Sequence, residues 1–125
     1  MKYGFLRTAC GTPKTTVAHC VFNTQEIFDL IKKAENENVE IVVFPELCIT
    51  SYTCGDLFLQ QSLQKSAKEE LFLLAQKTKD IDMLIAVGLP IALGNSLYNC
   101  AALLYQGSIL ALIPKTQIPN YSEFY

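Results

Sequence analysis

The sequence predicts an α/β domain in which helices cover one face of a mixed sheet. Three observations carry this. Two short runs, "IVVF" at 41–44 and "MLIAVGLP" at 83–90, are apolar without alternation, the pattern of strands covered on both faces. Two longer stretches, 23–34 and 61–79, repeat apolar residues at helical spacing. Finally, "LYNCAALLY" and "SILALI" flank Gln106-Gly107, a tight connection that sends the chain back antiparallel. Strand, helix, strand, helix, strand and hairpin, in that order, make a layered α/β arrangement.

The first element is a strand within "FLRTACGT" (5–12), ended by the punctuation from Gly11 to Lys14. A helix follows, opened by Asn23, whose side chain caps free N–H groups while Glu26 reaches back three residues later. Ile27, Leu30, Ile31 and Ala34 give it one apolar stripe. "VEIVVF" is an interior strand. The second helix, 61–79, turns Leu63, Ala67, Leu71 and Leu74 to the core and leaves Lys65, Lys68, Glu69 and Lys79 to water. "MLIAVGLP" is the next strand, "IALGNS" (91–96) supplies turn residues, and the hairpin completes the set. Two helices cover only one sheet face. The doubly buried look of the strands therefore implies another covering layer and a chain that is not a complete folding unit.

With 125 residues, half of them apolar, the chain fits one domain with a real core. A net charge of -2, with no basic stretch, excludes a nucleic-acid footprint. No apolar run approaches the ~20 residues of a membrane-spanning helix, and Arg7 and Thr8 interrupt any signal-peptide core, so a soluble, cytoplasmic protein is expected. Five cysteines, an odd number without CxxC spacing, read as reduced thiols rather than disulfides or a metal site.

Chemistry collects at two strand ends. "VVFPELC" (42–48) stops at Pro45 and presents Glu46; "ALIPKT" (111–116) stops at Pro114 and presents Lys115. Proline fixes its own φ and holds the preceding residue extended, so each charged side chain leaves its strand in a defined direction. The carboxyl ends of strands in open α/β sheets are where ligands gather. A carboxylate there can take a proton, and a nearby ammonium can stabilise an oxyanion. The residues alone also allow a structural ion pair.

Four segments, "FPELCITSYTCGDLF" (44–58), "VGLPI" (87–91), "LYNCAALLYQGSIL" (97–110) and "PKTQIPNYSEFY" (114–125), resemble the glutaminase domain of glutamine-dependent NAD synthetases, a branch of the nitrilase superfamily of carbon-nitrogen hydrolases. The resemblance runs over nearly the whole chain, and "YTCGDLF" with "PNYSEFY" is its most specific part. It implies the N-terminal part of a nitrilase-like four-layer α-β-β-α sandwich, residues 1–125 being a partial glutaminase domain without the synthetase domain. It implies catalytic roles for Glu46, the general base, and Lys115, which stabilises the tetrahedral intermediate, in a Glu, Lys, Cys triad. It implies substrate binding by Tyr121 and Phe124, with glutamine as the substrate. The family nucleophile is a cysteine downstream of the "PNYSEFY" segment. The sequence is therefore expected to lack it and to be inactive alone. ATP and Mg belong to the absent synthetase domain, and no cofactor or metal is expected here.

The other residues have plainer readings. The five cysteines, Cys10, Cys20, Cys48, Cys54 and Cys100, are read as small buried hydrophobes. His19 is read as a surface or hydrogen-bonded residue, Asp56 as the cap of a short helix near Leu57, and Tyr98 and Asn99 as strand or hairpin residues rather than substrate contacts. Ser51 stands where the family usually has glycine, and a left-handed backbone there would cost roughly 1 kcal/mol. A homo-oligomer formed through the exposed apolar sheet face is expected. Alternative functions are a non-catalytic interaction module that pairs through this face with a partner chain or with itself, or another nitrilase-superfamily amidase.

Overall fold

A computed structural model describes residues 4–116. The elements are β1 (Thr8–Cys10), α1 (Cys20–Asn36), β2 (Ile41–Val43), a 3-10 turn (Gly55–Leu59), α2 (Gln61–Lys77), β3 (Leu84–Leu93), β4 (Ser96–Tyr105) and β5 (Ser108–Pro114). They build one five-stranded sheet in the order β1-β2-β3-β4-β5. β1, β2 and β3 run parallel, and β4 and β5 are added antiparallel. Two successive right-handed crossovers stepping the same way along a sheet place both helices on the same face. This is the mixed sheet with one helical layer that the sequence predicts, two layers of the sandwich that the resemblance implies.

The covered face holds the core. Val42, Ile85, Val87, Leu89, Cys100, Ala102 and Leu104 are buried beneath Ile27, Ile31, Ala34, Leu63, Ala67, Leu71 and Leu74 of the two helices. The opposite face is open. Val43 and Ile113, which point to it, are 46% and 51% exposed, so β2 is interior by its pairing but covered on one face only.

The hairpins are tight. Gln106 (φ 45) and Gly107 (φ 88) both take the positive φ that a two-residue turn between twisted strands needs, and they join β4 to β5. β3 continues through the first half of "IALGNS" to Leu93, and only Gly94 and Asn95 turn the chain, because Ile91 is still paired with Tyr98 and buried.

Helix α1 starts earlier than Asn23. His19 Nδ1 accepts from the Phe22 N–H at 3.1 Å and caps the helix. Asn23, fully buried, is used elsewhere: its Oδ1 accepts from Thr16 N–H (2.7 Å), and its Nδ2 donates to the carbonyls of Thr16 and Ile49 (both 2.9 Å). A buried amide is held where its donors and acceptor are all satisfied, and that outweighs a solvent-exposed capping role. Asp56 lies inside the 3-10 turn, which has Cys54 at its N-cap and no side-chain cap. Four cysteines are buried as expected; Cys10 is exposed, because it ends an edge strand on the open face.

Candidate active site

Glu46 leaves the sheet just after β2, in a loop that crosses β3. Phe44 N–H donates to the Ala86 carbonyl (2.9 Å) and Ile49 N–H to the Gly88 carbonyl (3.1 Å), so the segment between them bridges over Gly88. That crossing requires glycine: a Cβ at position 88 would stand 2.3 Å from the Leu47 nitrogen and 2.8 Å from the Pro45 oxygen. Within the loop Leu47 (φ 56) and Ser51 (φ 75) adopt left-handed backbone, which costs an L-residue about 1–2 kcal/mol each. Serine at 51 therefore holds the conformation that glycine adopts freely.

The loop is pinned from outside as well. Asn23 holds the Ile49 carbonyl, and Ala18 N–H donates to the Thr50 carbonyl at 2.9 Å. Leu47, Cys48, Ile49 and Thr50 are buried beneath these ties. Glu46 is thus the partly exposed residue of an anchored turn.

Lys115 arrives from the other side, one residue past β5. Its backbone N–H donates to the Asn99 carbonyl at 2.7 Å, which extends the β4-β5 ladder by one rung. Asn99 and Lys115 consequently lie side by side on the open face. Lys115 Nζ stands 2.8 Å from Glu46 Oε1, and the Asn99 amide donates to the same oxygen through a short hydrogen bond. The fold closes 69 residues of separation into one ion pair. Asn99 is a strand residue, as the sequence indicates, but its contact with Glu46 has no sequence signal; strand alternation tells which face it occupies and nothing about a loop 53 residues away.

The three polar side chains lie at one end of a hollow of about 420 Å³, walled by Val43, Ala86, Ala101 and Ile113 on the open face. A larger hollow, about 1050 Å³, opens at the amino ends of β2 and β3, past Arg7 and Tyr105. Ligands of open α/β sheets gather at the carboxyl ends, which selects the smaller one. Tyr121 and Phe124 lie outside the described residues.

Cys100 borders the hollow, but it is buried with the core residues of β4. Burial pushes the Cys48 thiol up to about 11, and the thiols of Cys20, Cys54 and Cys100 are raised by the same cause. Cys48 Sγ instead faces the Gly88 N–H at 3.4 Å. Cys10 is exposed on β1, separated from β4 by two intervening strands, or roughly 14 Å at ~4.8 Å per strand. Among the described residues, no group of three or more His, Cys, Asp or Glu could hold a metal ion.

Residues 15–123 match the family model for carbon-nitrogen hydrolase. The chain belongs to the carbon-nitrogen hydrolase family. Within that family it is similar to a glutamine-dependent NAD(+) synthetase of Mycobacterium tuberculosis, with 31% identity over 124 residues, covering 99% of this chain and 18% of the relative. The crystal structure of a glutamine-dependent NAD(+) synthetase from Cytophaga hutchinsonii superposes with a TM-score of 0.86 at 34% identity, over 92% of this chain and 20% of that one. An amidase from Nesterenkonia sp. shares the fold, with a TM-score of 0.79 at 21% identity, over 94% of this chain and 45% of its own. The carbon-nitrogen hydrolase chain described here thus spans about a fifth of the length of the curated relatives it matches. Among its described residues no helix is long and apolar enough to cross a membrane.

Proposed function

We propose that this chain carries the general base and the oxyanion-stabilising lysine of a glutamine amidohydrolase site that releases ammonia for ATP-dependent NAD synthesis from a deamidated precursor. The observation that carries the reading is the 2.8 Å contact between Glu46 and Lys115 at the mouth of the hollow. As a purely structural ion pair it would add little stability. With both side chains 34% exposed, such a pair is worth about 1 kcal/mol or less. The left-handed residues that shape the Glu46 loop cost at least as much. Strained backbone held beside a hollow is characteristic of functional sites.

In the proposed reaction the Glu46 carboxylate takes the proton of a thiol, and the thiolate adds to the side-chain amide carbon of glutamine. The Lys115 ammonium stabilises the negative oxygen that forms. Glu46 returns the proton to the departing nitrogen, the C–N bond breaks, and ammonia leaves a thioester. Glu46 then removes a proton from water, the resulting hydroxide adds to the thioester carbon, and glutamate departs as the thiol is reprotonated. In this reading the thiol is the cysteine downstream of the "PNYSEFY" segment that the resemblance implies, so this chain alone is expected to turn over no glutamine. Tyr121 and Phe124 are proposed to contact the substrate.

The test is ammonia release from glutamine by the chain alone and by the chain mixed with a polypeptide that supplies the cysteine segment. Activity is expected only in the mixture, with Glu46→Gln lowering it by about 10²–10⁴-fold. Hydrolysis by the chain alone, or full activity of the mixture with Glu46→Gln, would overturn the proposal.

The open sheet face, with Val43 and Ile113 about half exposed, favours a second reading: an interaction module that self-associates through this face. Light scattering after size exclusion separates the two, a concentration-dependent dimer without complementable activity supporting the second.

A further inference from the structure

We propose that Asn99 is a positioning residue that fixes the Glu46 carboxylate in one orientation and thereby leaves Oε2 as the oxygen that exchanges protons. Both hydrogen bonds that described residues give this carboxylate end on Oε1, one from Asn99 Nδ2 and one from Lys115 Nζ. An ionised carboxylate has about four lone-pair positions, two on each oxygen. Two donors fill those of Oε1, so a proton arriving from a thiol or water goes to Oε2.

Asn99 rather than Lys115 supplies the orientation. Its planar amide sits on a short stem in the middle of three paired strands, opposite Pro90 of β3. Only Nδ2 suits the contact, since Oδ1 in its place would set two acceptors against each other. Lysine is a point charge on a flexible four-carbon stem with rotatable donors, and it tolerates many carboxylate orientations. Asn99 also accepts the Lys115 backbone N–H at 2.7 Å, so one residue sets the origin of the lysine and the angle of the acid. The catalytic meaning of Oε2 rests on the function proposed above; the orientation does not.

The experiment is side-chain NMR of the 125-residue chain, with no turnover required. In the unaltered protein the Asn99 amide protons are expected at a hydrogen-bonded chemical shift that is lost in Glu46→Gln. Three-bond couplings of Glu46 are expected to report a single rotamer in the unaltered protein and in Lys115→Met, and averaged rotamers in Asn99→Ala and Asn99→Ser. A single Glu46 rotamer in the two Asn99 variants would overturn the proposal, as would Asn99 amide signals indifferent to Glu46→Gln. If both Asn99 variants fail to fold, the amide measurement on the unaltered chain and Glu46→Gln decides alone. In the complemented ammonia assay Asn99→Ala is expected to lower kcat by up to about 100-fold with little change in KM. An inactive mixture whose NMR behaves as expected would count against the amidohydrolase reading and leave the positioning role standing.

Discussion

At position 48 the sequence places a thiol two residues from the candidate base, and its surroundings disqualify it as a nucleophile. It is buried against the backbone of Gly88, and desolvation lifts its pKa from 9.0 to about 11. Near neutral pH only about one such thiol in ten thousand is ionised. The same shift couples to folding. In the unfolded chain the thiol ionises near its ordinary value, whereas in the folded chain it stays protonated until about pH 11. A group held neutral by folding contributes fully below the unfolded pKa, and stability falls as pH rises through the window between the two values. Two units correspond to about 3 kcal/mol. Urea denaturation from pH 8 to 11 is thus expected to show a decline that is shallower in Cys48→Ala. Equal slopes in the two proteins would contradict the assigned burial. Cys10, exposed at the end of β1, is expected to be the fast-reacting cysteine under alkylation at pH 8, read by peptide mass spectrometry.

The elements explain why the acid sits where it does. β2 is only three residues long, and the chain leaves it by crossing β3 at Gly88 instead of continuing upward. A methyl group at 88 must displace loop backbone, not a flexible side chain. Gly88→Ala is therefore expected to cost about 1–3 kcal/mol in urea denaturation and to separate Glu46 from Asn99 and Lys115. An unchanged denaturation midpoint would show that the loop shifts freely. Much of this level was legible beforehand. Pro45 and Pro114 mark both site-bearing strand ends, and the apolar stripe of 61–79 gives the core face of α2. The start of α1 was not legible, because Asn23 fits a local capping pattern while a carbonyl 26 residues away claims its amide. Asn99 escaped for the same reason. Long-range partners of a polar side chain depend on the packed backbone, and local spacing carries no record of them.

For the whole molecule, the sheet's asymmetry is the governing fact. Continuous apolar strands suggested cover on both sides, but the helices α1 and α2 lie over one, and the open side carries small residues such as Ala101 beside Val43 and Ile113. Sequence pattern could not separate these cases, since it records which residues tolerate burial and not which are buried in this chain. The two faces should consequently respond differently to substitution. Ile85, 1% exposed beneath the helices, is expected to lose about 2–5 kcal/mol on replacement by alanine, because its removal leaves a cavity in a packed layer. Ile113, 51% exposed on the open face, is expected to accept lysine within about 0.5 kcal/mol. Denaturation of Ile85→Ala and Ile113→Lys at several protein concentrations checks both. A large, concentration-dependent loss in Ile113→Lys would mean that the open face is covered in solution by a second copy, and the self-associating reading would then displace the simple two-layer one.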